Sequence, residues 1–108
     1  MIDKNYIKEC YKALVIYREE LRKEFLNGGI ELSVYNKADM FHTTNAFERL
    51  LGGAKLTQHD AATIDQECAA LGAVAELYPE QFVSVLPQLQ AVGAAFEAVQ
   101  AAIQAAQE

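Results

Sequence analysis

The sequence predicts an all-α domain of four main helices, packed as a compact helical bundle or as two helical hairpins. Apolar residues recur at intervals of three and four over most of the chain, glycine pairs and prolines separate those stretches, and only one short segment alternates as a strand would. The 108 residues, 52% apolar and 22% charged, are expected to form one domain over residues 1–108 with a single core. That composition excludes disorder, collagen-like repeats and proline-rich linkers.

The first helix is predicted over residues 3–26. Ile7, Cys10, Tyr11, Leu14, Tyr17, Leu21 and Phe25 fall on one helical face. Lys4, Lys8, Lys12, Glu19, Arg22 and Lys23 occupy the far side, with Glu19 and Lys23 at the favourable i,i+4 order. Asn27-Gly28-Gly29 then ends the helix, because Asn and Gly accept the left-handed conformation that a C-terminus needs.

Residues 30–35, Ile-Glu-Leu-Ser-Val-Tyr, carry the alternating pattern. A lone strand has nothing to pair with inside this chain, so the segment is expected to be an extended connector lying on the bundle, unless a second copy supplies the partner strand. A second helix follows over residues 37–51, with Asn36 and Asp39 at capping-box spacing and Met40, Thr44, Phe47, Leu50 and Leu51 on its inner stripe. Gly52-Gly53 stops it.

Thr57 and Asp60 form a second capping box and open a third helix over residues 58–78. Its stripe, Ala61, Ile64, Cys68, Leu71, Ala75 and Tyr78, approaches the period of a coiled-coil seam. Pro79 ends or bends this helix, and residues 79–83 suit one short helical turn. Ser84 is the expected cap of the last helix, residues 85–106, with Pro87 tolerated in its first turn. Leu89, Val92, Phe96, Val99, Ile103 and Ala106 repeat the seam. Fourteen alanines after position 56 favour close helix packing, and Gly72 and Gly93 are expected to mark close backbone crossings.

Charge is distributed unevenly. The net charge is −6, yet all nine Lys and Arg lie before position 56, where they face eight carboxylates; residues 56–108 hold seven carboxylates and no base. An acidic half repels a phosphate backbone, so nucleic acid is not an expected partner. Residues 81–107 are poor in charge but interrupted by glutamines and Glu97, which argues against a membrane span. Residues 1–5 lack a basic segment leading into an apolar one, so no signal peptide is predicted and the expected location is cytoplasmic.

The inventory of chemical groups is thin. Cys10 and Cys68 lack CxxC spacing and sit on apolar stripes, where a free thiol packs as a small hydrophobe. Asp39 and His42, three residues apart on the second predicted helix, are the best available metal or general-base pair, but the other elements of a catalytic site do not accompany them. Glu-x-x-His, phosphate-loop and nucleophile-elbow patterns are missing. Neither catalytic residues, a cofactor nor a metal is therefore expected.

The last helix has Glu97 as its one charged residue, whereas a terminal surface helix normally carries many. Burial against something is the natural explanation. The expected function is a non-enzymatic protein–protein interaction module that self-associates or binds a partner protein through this helix. Leu89, Val92, Phe96, Val99 and Ile103 are the candidate contacts, joined by Tyr6 and Tyr17 toward the edge of the first stripe. Three alternatives stand beside it: an adaptor or connector subunit of a virion or secretion assembly, a small inhibitor from a mobile genetic element docking its acidic half on a basic host protein, and a small-ligand or metal-binding enzyme around Asp39 and His42.

Overall fold

The computed structural model describes residues 4–107, excepting the side chains of residues 99, 102, 103 and 105–107. It is an all-α bundle with this order: α1 (Lys4–Asn27), α2 (Leu32–Ala38), α3 (Phe41–Leu51), α4 (Gln58–Leu77), α5 (Pro79–Phe82), a 3-10 turn (Val83–Val85) and α6 (Leu86–Gln107). The central element is α1, which packs on α2, α3, α5 and α6, while α4 closes over α2 and α3.

The predicted face of α1 is the spine of the core. Ile7, Cys10, Leu14, Tyr17, Leu21 and Phe25 are all buried, and Tyr11 is half-buried beside them. On its polar side Lys23 pairs with Glu20 rather than with Glu19, at 3.7 Å and one turn away. Both glycine pairs end their helices in the same way. Gly29 (φ +72°) and Gly53 (φ +99°) take left-handed backbone that a side chain would strain. In each case the next amide reaches back to the helix: Ile30 donates to the Phe25 carbonyl and Ala54 to that of Arg49.

Residues 32–38 are helical, which corrects the expected extended connector. Ile30, Val34, Tyr35 and Ala38 also satisfy helical spacing, and an alternation of only a few residues cannot choose between the two periods. Tertiary burial decides it. Tyr35 and Ala38 enter the core, and Tyr35 donates its hydroxyl to the Arg18 carbonyl at 3.0 Å.

The capping box expected at Asn36 and Asp39 is not formed either. Asp39 ends α2, Met40 turns the chain through a left-handed φ of 56°, and α3 begins at Phe41. Its first turn is capped from a distance by Glu67 of α4. One carboxylate oxygen accepts from the Thr43 amide and hydroxyl and the other from the His42 amide.

The Thr57–Asp60 capping box is present in both directions, and Arg49 adds a 2.9 Å ion pair to Asp60. Along α4, Ile64 and Val74 are buried; Ala61, Cys68, Leu71, Ala75 and Tyr78 pack at the margin of the core. Val74 therefore takes the central place that the spacing assigns to Ala75. Ser84 lies inside the 3-10 turn and caps nothing, since Val85 and Leu86 continue the helical path; Pro87 sits in the first turn of α6. A Cβ added at Gly72 or Gly93 would meet nothing within 4 Å, so neither glycine marks a close crossing.

Candidate interaction surface

The seam of α6 faces inward. Val92 and Phe96 are buried, Leu89 is half-buried, and the Phe96 ring stacks on Phe47 of α3 with centroids 5.7 Å apart. Val85 and Ala95 join them in the core. This stripe is spent on folding the chain. Val99 and Ile103 have side chains outside the described residues.

Tyr17 is fully buried as well, which removes it from the candidate surface. Its ring belongs to the α1 stripe, and its hydroxyl donates to the Ala38 carbonyl at 2.5 Å. Burial, with Tyr35 and Asp39 close by, raises its phenol well above the ordinary tyrosine range. Tyr6 differs: it is 40% exposed, one turn before the first buried cysteine.

Tyr6 forms the lip of a groove of about 430 Å³ between α1 and α6. Cys10, Ala13 and Ile16 continue the α1 wall at helical spacing, and Pro87, Gln88, Ala91 and Ala94 form the α6 wall. Ile16, on the α1 wall, is 45% exposed, and Leu86, next to Pro87 in sequence, is 48% exposed. Charge enters through Glu9 and Lys12, which pair with each other at 3.7 Å. Being exposed, that pair contributes little. The Gln88 Oε1 is buried without a hydrogen-bond partner.

Pro87, Ala91 and Ala94 were invisible to apolar periodicity because small side chains and proline stand out little in it. The available signal was the scarcity of charge on the outward positions of α6. Gln90, Ala91, Ala94, Glu97, Ala98 and Ala101 are all exposed there, and only one of them is ionised. No family model, curated protein or solved structure matches this chain.

The Asp39 and His42 side chains are not brought together by a hydrogen bond. Asp39 caps the C-terminus of α2 while His42 lies in the first turn of α3 beyond Met40, and Asp39 accepts from the Phe41 amide at 3.2 Å and pairs with Arg18 at 3.7 Å. Arg18 in turn lies over the Phe41 ring, 5.5 Å from its centroid. Burial outweighs the Arg18 charge and the Phe41 amide and raises the Asp39 carboxyl above its ordinary value.

Both cysteines are free thiols. Burial pushes Cys68 up to about 11, helped by Asp65 and Glu67, and raises Cys10 as well, so neither is poised as a thiolate. Among the described residues no group of three or more His, Cys, Asp or Glu is placed to hold a metal ion. No described helix is long and apolar enough to cross a membrane.

Proposed function

We propose that this chain is a non-enzymatic interaction module that associates with a second copy of itself through the α1–α6 groove and the outer face of α6. The groove is the observation that carries this reading: exposed Tyr6 and Ile16 flank apolar walls on a chain of net charge −6. Exposed apolar surface of that kind, contiguous and rimmed by polar groups, marks contact sites in soluble proteins.

Charge selects the occupant. Like-charged chains repel, so two copies associate most readily where carboxylates are fewest, and the outer face of α6 offers only Glu97. A two-fold axis beside α6 lets each α6 lie against its twin and reach the α1 wall opposite, an isologous arrangement that closes at two copies. Alanines at 91, 94, 98 and 101 allow helix axes to approach to about 8 Å.

Light scattering coupled to size exclusion, over a range of concentrations at low and high salt, tests the proposal. A dimer that persists in high salt is expected. Ala94→Glu and Ile16→Asp, both at exposed positions, should yield monomers with unchanged helical circular dichroism. A wild-type chain that stays monomeric at every concentration, or variants that still dimerise, would overturn it.

A further inference from the structure

The chain's two histidines, separated by 17 positions, line one pocket of about 270 Å³ between α3 and α4. His42, Asn45 and Arg49 share a face of α3 at intervals of three and four. His59 and Thr63 face them from the first turns of α4. The wall supplies several hydrogen-bond donors, a guanidinium, a carboxamide and two imidazoles, while the Thr63 hydroxyl donates to the His59 carbonyl at 3.0 Å.

Asp60 is the one carboxylate in the lining, and each of its oxygens already accepts a hydrogen bond. Oδ2 accepts from the Thr57 amide and hydroxyl, and Oδ1 accepts from Arg49 at 2.9 Å. Asp60 thus holds one edge of the guanidinium and leaves its remaining N–H groups available. Glu67, close to His42, directs its oxygens at the His42 and Thr43 amides, and Asp39 accepts from the neighbouring Phe41 amide. The positive end of the α4 dipole lies at the same place.

We propose that this pocket binds a phosphate-type oxyanion, with Arg49 as the principal donor and Asn45, His42 and His59 around it. A guanidinium already oriented by a carboxylate presents a planar fork at little entropic cost, and oxyanions are the ligands that fork matches. The site is separate from the α1–α6 groove and does not depend on self-association.

A ¹H–¹⁵N NMR titration with inorganic phosphate near pH 6, with sodium chloride at matched ionic strength as control, tests the proposal. Saturable shifts confined to Arg49, Asn45, His42, His59 and their neighbours are expected. Arg49→Gln should weaken binding about tenfold, the loss of one charge-assisted donor. Because Arg49 also supports Asp60, the double variant His42→Gln/His59→Gln, which keeps that pair, provides an independent reading and should weaken binding about threefold or more. Non-saturating shifts spread over the lysines of α1, shifts reproduced by chloride, or unchanged affinity in the double histidine variant would overturn the site.

Discussion

Thr43 donates to a single oxygen of Glu67 twice, from its amide and from its hydroxyl, each at 2.6 Å, across 24 residues of chain. A long-range carboxylate thereby does for α3 what a local N-cap does for other helices. Because Met40 precedes α3 in a left-handed turn and offers no capping oxygen, this carboxylate should matter to stability.

Glu67→Ala is expected to destabilise the protein by about 1–2 kcal/mol, the range for losing an N-cap. Glu67→Gln, which keeps one acceptor, should cost less. Urea unfolding of both variants measures this, and an alanine variant equal to wild type would remove Glu67 from that role.

Tyr17→Phe should cost about 1–3 kcal/mol, because the buried Ala38 carbonyl loses its side-chain donor at the end of α2. Thermal unfolding measures the loss. Faster amide exchange confined to α2 and the Met40 turn would locate it, and uniform exchange across the bundle would instead show that the bond serves the whole core.

Glycine substitutions should divide by position. Gly72→Ala and Gly93→Ala put a methyl group into open space within helices, and each should stabilise by about 0.5–1 kcal/mol, raising Tm by several degrees. Gly29→Ala and Gly53→Ala place a side chain at positive φ and should destabilise by about 1–2 kcal/mol. Calorimetry on the four variants distinguishes the pairs by sign.

Two aspartates should give opposite pH dependences. At Asp60 burial raises the carboxyl, but the Thr57 amide, Arg49 and the Thr57 hydroxyl together outweigh it and hold the group below its ordinary value. Its stabilising effect is present above the unfolded value of about 3.9 and is lost as pH falls through the lower folded value. Asp39 is raised, so its ionisation opposes folding: the penalty is absent in acid below the unfolded value and complete once pH exceeds the folded one. Unfolding curves from pH 7 down to about pH 3 should therefore flatten in Asp60→Asn. Asp39→Asn should gain stability at pH 7 and lose that gain in acid; loss of stability at pH 7 would show that the Arg18 pair outweighs burial.

The legible parts of the fold are those decided by neighbours in sequence. The α1 stripe from Ile7 to Phe25, the glycine stops and the Thr57–Asp60 box each depend on residues within a turn or two. The illegible parts depend on partners far along the chain. Residues 32–38 become helical because α1 and α4 bury Tyr35 and Ala38, and α3 starts at Phe41 because Glu67 caps it. Tyr17 reads as an edge residue until α2 covers its hydroxyl. At the groove, Tyr6 was identifiable as a boundary aromatic, whereas Pro87, Ala91 and Ala94 carry too little apolar area to mark a face.

The absence of bases after Lys55 has a practical consequence for anyone probing this molecule. Trypsin cleaves after Lys and Arg, so it makes no cut within residues 56–108 and leaves α4, α5 and α6 on one peptide. Amine-reactive cross-linkers find no lysine there either, and a dimer joined through α6 would give lysine links only from α1, from Lys37 of α2 and from Lys55. Carboxylate-directed reagents have Glu97 on that face, and cleavage beside acidic residues opens the peptide. Mapping an α6 contact by mass spectrometry therefore calls for acid-side chemistry.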